Sequence, residues 1–380
     1  MIYLDNSATT KPDASVLASF IKVNEELWYN PSSIHAGGEQ ANKLLETARA
    51  QVATVLKTKA KSVVFTSGGT ESSNFVLRQT ALEKKDIGRH ILLSAVEHPS
   101  VREVGLYLAQ QGYEVEWLDV DQTGTVLPSE LKQKIRKDTI IVSVQHVNNE
   151  IGTIQPIKEL VAITRNHSRA SFHVDAVQSF GKLPVDFEQL PVDWITLSSH
   201  KYHGLKGSGI AACNRSITLE PFILGGGQES GYRSGTTAVA QAVSTARATR
   251  LAFEEQPQNF IRLTKMQRIL RKAVTELPLV TILTPELAAP HILSVAVKGV
   301  KGEVLVNALE KKGIYVSTSS ACSSKKTSTS HVLEAMGVSK ELIDGVIRIS
   351  MSKDTTEQEI ESFNQTFQEI LQLLERNLHT

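Results

Sequence analysis

The chain has 380 residues, and its 41% hydrophobic and 21% charged residues are typical of a globular protein with a sizeable core. Its 41 Lys and Arg residues nearly balance its 40 Asp and Glu residues, which leaves a net charge of +1. This balance argues against direct nucleic-acid binding and against a disordered polyelectrolyte. Two cysteines, Cys213 and Cys322, are too few for a disulfide framework or a thiolate zinc cluster.

The N-terminus, MIYLDNSATTKP, has neither the basic region nor the apolar region of a signal peptide. No run reaches the roughly 18 apolar residues that a membrane-spanning helix needs. We therefore expect a cytoplasmic enzyme that has no contact with a membrane.

Short apolar runs rich in Val and Ile alternate with amphipathic stretches between about residues 60 and 215. The runs, each predicted to be a strand, are Ser62–Thr66, His90–Ser94, Glu114–Leu118, Thr139–Gln145, Ser171–Val174, Trp194–Leu197 and Gly209–Cys213. The helical stretches between them include Glu71–Lys85, Pro99–Gln111 and Pro156–His167. This alternation predicts an α/β architecture with a mostly parallel sheet that helices cover on both faces.

The pattern changes after Gly225–Gly227. Residues 237–276 are predicted to form a long helix, which Pro257 could break. The elements predicted after it are His291–Val297, Glu303–Lys312, Ile314–Val316, Val346–Met351 and Thr356–Arg376. We predict a large α/β domain over residues 14–256 and a smaller α+β domain over residues 257–380, joined by the N-terminal segment 1–13.

Polar residues collect directly after the predicted strands, where the carboxyl ends of an open α/β sheet bind ligands. The sequence Ser67-Gly68-Gly69-Thr70-Glu71-Ser72 opens a helix, and such a helix start favours a phosphate, although a plain capped turn explains it equally well. His98 could stack on an aromatic cofactor or move a proton, but a lone His at a strand end is more often structural. Asn149 lies in a segment that by itself indicates only a turn.

Asp175 and Lys201 each end an apolar strand. A buried carboxylate needs a positive partner, such as a protonated ring nitrogen, unless it caps a helix. A partly desolvated Lys attacks carbonyl groups and is a candidate for forming a Schiff base. Zinc ligation by His200 and His203 is the alternative, but the sequence offers no third ligand at a recognisable spacing.

The two cysteines and Arg348 stand in different contexts. Cys213 lies in an apolar run and is predicted to be an inert buried residue. Cys322 lies in the polar stretch 317–330, where Lys325 and Lys326 favour the thiolate, unless it is an incidental surface thiol. Arg348 has apolar neighbours and needs an anion, either a ligand carboxylate or an internal salt bridge.

Together these residues resemble the cysteine desulfurases of the NifS/IscS type. That family belongs to the class V aminotransferases, which have fold type I among pyridoxal 5'-phosphate (PLP) enzymes. The resemblance runs from Tyr3–Thr10 to Arg348. The motifs that carry it, in the family's order, are TSGGTES, EHPSV, HVNNEIG, HVDAVQS, SSHKYHG, GGGQESGYRSGT and SSACSS.

The resemblance implies a cofactor role for each matching residue. Lys201 would bind PLP as a Schiff base, and Asp175 would pair with the pyridinium nitrogen. Gln178 would hydrogen-bond the phenolic oxygen, while His98 would stack on the ring and serve in acid–base steps. The residues expected to hold the phosphate are Gly69, Thr70, Ser198, His200 and, from the neighbouring subunit of a homodimer, Thr236.

The resemblance also implies the reaction. Asn149, lying against the cofactor, and Arg348 would hold the carboxylate of L-cysteine, which would leave as L-alanine. Cys322 would keep the sulfur as a persulfide and pass it to an acceptor protein, for tRNA thiolation, iron–sulfur cluster assembly or another thio-cofactor. The length of the 317–330 stretch resembles the long-loop branch of the family. Lys325 and Lys326 stand where better-known members have more apolar residues, which leaves the identity of the acceptor open. The short tail after the terminal helix favours a tRNA-thiolation enzyme over an iron–sulfur scaffold.

Two other functions remain open at this point. A class V aminotransferase or a selenocysteine lyase would use the same Lys201 and Asp175, with Cys322 dispensable. An inactive scaffold in a sulfur-transfer complex is the non-enzymatic alternative, and the presence of all three residues argues against it. No metal is expected.

Overall fold

The computed structural model describes residues 1–318 and 329–378. In these ranges the strands are β1 (Ile2–Tyr3), β2 (Val63–Thr66), β3 (His90–Ser94), β4 (Glu114–Leu118), β5 (Thr139–Ser143), β6 (Ser171–Asp175), β7 (Trp194–Ser198), β8 (Gly209–Cys213), β9 (Val280–Ile282), β10 (Ile292–Val297), β11 (Ile314–Tyr315), β12 (Ser317–Thr318) and β13 (Val346–Ser350). The α-helices are α1 (Ala14–Glu26), α2 (Ala36–Leu56), α3 (Gly69–Glu83), α4 (Pro99–Gln110), α5 (Pro128–Lys134), α6 (Ile157–His167), α7 (Val239–Thr275), α8 (Gly302–Glu310), α9 (His331–Ala335), α10 (Lys340–Ile343) and α11 (Glu357–Leu378).

The large sheet has seven strands in the order β2-β8-β7-β6-β5-β3-β4. Strand β8 is antiparallel to both of its neighbours, and the remaining pairs are parallel. Every residue of β3, β5, β6, β7 and β8 is buried, as expected for strands that helices cover on both faces. The predicted α/β class with a mostly parallel seven-stranded sheet is confirmed.

The smaller unit is built on the antiparallel sheet β12-β13-β10-β9. Helix α11 covers it through Phe363 and Phe367, whose stacked rings lie 5.3 Å apart between centroids. The N-terminal strand β1 pairs with β11, and Asp5 forms a β-bridge with Ser350. The first residues of the chain are therefore part of this unit and lie beside its Arg348-bearing strand.

Helix α7 continues through Pro257 without a break. Its first half packs in the core of the large sheet, with Ala252 among the buried residues, and its second half packs in the other core through Leu263 and Met266. Burial on both sides of the proline stabilises the helix across the missing backbone hydrogen bond. The two cores separate near the predicted boundary at residues 256 and 257, and the division into domains stays a prediction.

Within the part of the chain that the structure describes, no helix combines the length and the apolar character that crossing a membrane would require.

Candidate active site

A cavity of about 640 Å³ opens at the carboxyl ends of β2, β3, β5, β6 and β7, and the segments that follow these strands form most of its wall. Residues from the N-terminal segment and from β13 close it. The lining residues are Ser7, Gly69, Thr70, His98, Ser100, Gln145, Val147, Asn149, Asp175, Val177, Gln178, Ser198, His200, Lys201 and Arg348. Every predicted site residue within the described ranges lines this cavity, apart from Thr236.

Within this chain Thr236 lies in another groove, beside Trp28 and Tyr29, so the structure does not bring it to the cavity. Cys322 lies outside the described residues. Cys213 is buried in β8, and burial raises the pKa of its thiol to about 11, which fits the predicted inert role.

The turn between β2 and α3 forms one end of the cavity. Gly68 has a φ of 156°, a conformation that favours glycine, and no side chain caps the helix that starts at Gly69. A Cβ atom on Gly209 would stand 2.5 Å from the carbonyl carbon of Gly68, so glycine at position 209 lets the turn pack against β8. The first N–H groups of an uncapped helix favour an anion.

Lys201 follows β7 at the end of the single 3₁₀ turn Ser199–Lys201. Its Nζ donates hydrogen bonds to the backbone oxygens of Ser7 at 2.6 Å and Ala8 at 2.9 Å. Sequence reasoning gave these two residues no role, although they belong to the quoted N-terminal motif. A backbone oxygen can come from any residue type, so the motif was the only signal available.

Asp175 is the last residue of β6, and its carboxylate Oδ1 accepts a hydrogen bond from the Val177 N–H at 2.9 Å. Burial raises the pKa of Asp175 to about 6, while this hydrogen bond and the charge of Lys201 act in the opposite direction. A turn and not a helix follows Asp175, so the helix-cap alternative is wrong. A buried carboxylate with a raised pKa can be stabilised by a cationic ligand.

Two histidines on the cavity wall are held neutral. Burial, and then the charge of Lys201, lower the pKa of both His98 and His200 to about 4. The Nδ1 of His98 accepts a hydrogen bond from the Ser100 N–H at 3.1 Å, so the proton of the neutral ring is on Nε2. His98 therefore has both the structural role and the cavity position that the sequence left open.

Arg348 projects from β13, and both sequence alternatives for it have support. Its guanidinium donates to the Asn149 backbone oxygen at 2.8 Å and forms an ion pair with the Asp5 carboxylate at 3.0 Å. Among the residues described here, Arg348 Nε and Ser7 Oγ are buried polar atoms with no hydrogen-bond partner. Both residues line the cavity, so these two atoms are suited to a polar ligand.

The zinc alternative has no support in the described ranges, where no group of three or more His, Cys, Asp or Glu side chains could hold a metal ion. His200 and His203 also use their Nδ1 atoms elsewhere, on Thr9 Oγ1 at 3.0 Å and on the Lys11 backbone oxygen at 2.9 Å.

The sequence profile of the class-V aminotransferases matches residues 2–363. The chain belongs to the class-V aminotransferase family. A NifS/IcsS protein homolog from Lactobacillus delbrueckii subsp. bulgaricus is 42% identical over 98% of this chain and 97% of its own. The cysteine desulfurase IscS of Methanosarcina thermophila is 37% identical over 99% of this chain and 93% of its own. Within the class-V family the chain is therefore an enzyme of the NifS/IscS cysteine desulfurase type.

Solved structures agree with this family. A protein described as NifS-like superposes with a TM-score of 0.92 at 39% identity, over 98% of this chain and 99% of that one. The family fold, a mostly parallel sheet with helices on both faces, is therefore the fold of this chain.

We expect Asp175→Asn to stabilise the ligand-free enzyme at neutral pH. The folded-state pKa of Asp175, about 6, lies above its ordinary 3.8, so the stability that its protonation contributes is present below pH 4 and lost as the pH rises through 6. Asn does not ionise, so the Asp175→Asn enzyme does not lose this stability. Urea unfolding at pH 8 should show a free energy of unfolding that is higher by up to about 3 kcal/mol than that of the original enzyme, and this difference should shrink as the pH falls towards 4.

Asp186→Asn is the matched control, because Asp186 is also buried but has Lys57 Nζ within 3.3 Å. The free energy of unfolding of the Asp186→Asn enzyme should not rise at any pH. A ligand-free Asp175→Asn enzyme that is no more stable than the original at pH 8 would contradict the raised pKa of Asp175.

Proposed function

We propose that the chain is a PLP-dependent cysteine desulfurase, which converts L-cysteine to L-alanine and retains the sulfur on Cys322. The observation that carries the proposal is the convergence of Lys201, Asp175 and Arg348 on one cavity. They supply an amine that can attack an aldehyde, an anion for a cationic ring and a guanidinium that can bind a carboxylate. The relatives named cysteine desulfurase support this substrate.

The cavity residues fit PLP. Asp175 supplies the buried anion that a pyridinium nitrogen requires, and the uncapped start of α3 supplies N–H groups for a phosphate. Lys201 would hold the aldehyde carbon covalently, and Gln178 would face the phenolic oxygen. The residues that would hold the phosphate are Gly69, Thr70, Ser198 and His200. When bound, PLP supplies an electron sink for the bonds at the substrate Cα.

The chain's own groups orient the amino acid. Arg348 Nε, which has no partner among the described residues, and Asn149 would hold the substrate carboxylate. The guanidinium stays in place because Asp5 and the Asn149 backbone oxygen hold its other nitrogens. Lys201 would move the proton at the substrate Cα. Neutral His98, with its proton on Nε2, would act in the remaining proton transfers.

Cys322 would carry out the sulfur step as a thiolate. Its sulfur forms an S–S bond to the substrate sulfur while the substrate Cβ–S bond breaks, and the electron pair of that bond stays on the carbon skeleton. The skeleton takes up a proton and leaves as L-alanine. The sum is L-cysteine plus a thiol giving L-alanine plus a persulfide, so no external oxidant or reductant is consumed.

Incubation with PLP, L-cysteine and a thiol reductant should release alanine and sulfide in equal amounts. Cys322→Ala should lower this rate by at least about 100-fold, since removal of a nucleophile leaves only the residual catalysis of the rest of the site. Cys213→Ala is the matched control and should keep the full rate, because Cys213 is buried in β8 away from the cavity.

A Cys322→Ala enzyme that still makes alanine and sulfide at the full rate would contradict the role of Cys322. Amino transfer from cysteine to a keto acid would indicate a plain aminotransferase. A strong preference for selenocysteine, with Cys322 dispensable, would indicate a selenocysteine lyase.

We propose further that the enzyme is a homodimer in which Thr236 completes the phosphate site of the partner subunit. Thr236 is not among the residues that line the cavity of its own chain, and it shares a groove with Trp28, which is 70% exposed. Leu224, 83% exposed, lies in the preceding segment. Large apolar side chains with this exposure are typical of an interface.

A mixed dimer tests the partner role of Thr236. Thr236→Ala dimers should bind PLP about 10- to 100-fold more weakly, the effect of losing a hydrogen bond to a charged group. A dimer of one Thr236→Ala chain and one Lys201→Ala chain should regain one tight site, because Lys201 and Thr236 of that site then come from different chains. Titration of co-expressed, differently tagged subunits with PLP measures this. No tight site in the mixed dimer would contradict the proposal.

For the sulfur acceptor we propose a tRNA-thiolation sulfurtransferase, and the support is Lys325 and Lys326 close after Cys322. Persulfide-loaded enzyme should transfer labelled sulfur to such a partner faster than to an iron–sulfur scaffold, and replacing both lysines with Ala should slow the transfer while alanine formation continues. Transfer to the scaffold alone would contradict this choice.

A further inference from the structure

Lys182 is a buried lysine that the proposed reaction does not use. It lies in the segment between β6 and β7, with 8% of its surface exposed. Its Nζ donates a hydrogen bond of 2.6 Å to the backbone oxygen of Lys201. The peptide from which the Lys201 side chain enters the cavity is therefore held by the ammonium group of a second lysine.

The same segment is also linked to the side-chain nitrogen of Lys201. Gln178 Nε2 donates to the Ser7 backbone oxygen at 3.0 Å, and this oxygen accepts from Lys201 Nζ at 2.6 Å. Asp175, Gln178 and Lys182 thus reach the site from one short stretch of chain. This stretch therefore contacts the Lys201 backbone oxygen directly, and it is linked to the Lys201 Nζ through the Ser7 backbone oxygen.

The backbone around Lys182 is itself fixed. The Lys182 N–H donates to the Ser179 oxygen at 3.0 Å, and its own oxygen accepts from Gln256 Nε2 of helix α7 at 3.1 Å. Gly181 has a φ of 75°, and a Cβ atom there would stand 3.1 Å from Ala252 Cβ of the same helix. The segment is therefore held on α7, so a shift of the Lys182 side chain would be transmitted to Lys201 and not absorbed by the loop.

Holding a carbonyl with a buried ammonium group is costly. Burial, and secondarily the charge of Lys201, lower the pKa of Lys182 to about 7. In turn, the charge of Lys182 contributes to the lowered pKa of His200 and of His291. Lys182 lines a second cavity, which is not the candidate active site. The acidic groups in the lining of this second cavity are Asp13 and Glu255, and Lys353 Nζ lies within 3.1 Å of both carboxylates.

We propose that Lys182 is a positioning residue for Lys201, which holds the Lys201 peptide so that the amine meets the carbonyl carbon of the cofactor in a reactive geometry. The inference rests on the proposed function, because it concerns the attachment of PLP to Lys201. Small displacements of a reacting group lower the reaction rate strongly, since a misplacement of about 1 Å can reduce the rate about 100-fold.

Lys182→Met, which removes the donor, is the main variant, and Lys84→Met is its matched control. Lys84 is also 8% exposed and donates to a backbone oxygen, that of Arg169, at 2.7 Å. PLP is added to the ligand-free full-length enzyme, and the borohydride-reducible attachment to Lys201 is followed by visible absorbance. We expect attachment about 10- to 100-fold slower in Lys182→Met and within about 2-fold of the original enzyme in Lys84→Met.

Two further variants make the test independent of stability. Lys182→Gln keeps a polar group, but its side chain is one atom too short to reach the Lys201 oxygen. PLP attachment should therefore be as slow in Lys182→Gln as in Lys182→Met. If the Met variant does not fold, the Gln variant decides the test. Lys182→Arg restores a donor, and the cavity beside Lys182 leaves room for it, so it should recover at least part of the rate. In the loaded enzyme, KM for L-cysteine should stay unchanged in all variants, since Arg348 and Asn149 are untouched.

Attachment at the original rate in the folded Lys182→Met or Lys182→Gln enzyme would overturn the proposal. Equal slowing in Lys182→Met and Lys84→Met would overturn it as well, because it would show only a general loss of stability. If the unaltered enzyme itself forms no reducible attachment, the proposed PLP function fails, which is a different outcome from failure of the Lys182 variants alone.

Discussion

The position of one cation, the Lys201 amine, is the constraint on which the rest of the site depends. Two backbone oxygens from the N-terminal segment accept hydrogen bonds from it, and a third contact from Lys182 holds its peptide. Burial lowers the pKa of His98 and His200, and the charge of Lys201 adds to this shift and partly offsets the cost of burying Asp175. The protonation states of the neighbouring groups therefore depend on their burial and, in part, on where this nitrogen is held.

The cavity also depends on contacts between distant parts of the chain. Arg348, which lines the cavity, comes from the sheet of the smaller unit, and Asp5, which forms an ion pair with it, comes from the N-terminal segment. Burial raises the pKa of Asp5, while the charge of Arg348 acts against this rise. The pair keeps the guanidinium in place, and its Nε has no hydrogen-bond partner among the described residues.

Sequence patterns predicted the large sheet well, because six of its seven strands are buried apolar runs bounded by polar residues, and only the edge strand β4 is partly exposed. The predicted strand Ser171–Val174 ends one residue before the observed β6, and Asp175 is a strand residue because its backbone still pairs with β7. Helix α7 passes through Pro257, since two cores bury its halves. Both details depend on long-range packing, which local patterns do not contain.

The residue pattern alone was enough to predict the α/β class, the family and the cavity positions of ten site residues, because residues such as Lys201, Asp175 and Asn149 lie at or after the ends of strands that meet at one sheet edge. The atoms that hold these residues in place depend on the tertiary structure. The Ser7 and Ala8 oxygens, the Asp5 ion pair and the Lys182 contact involve backbone atoms or partners far apart in the chain. A backbone oxygen is the same for every residue type, so its use as a hydrogen-bond acceptor leaves no signal in the sequence.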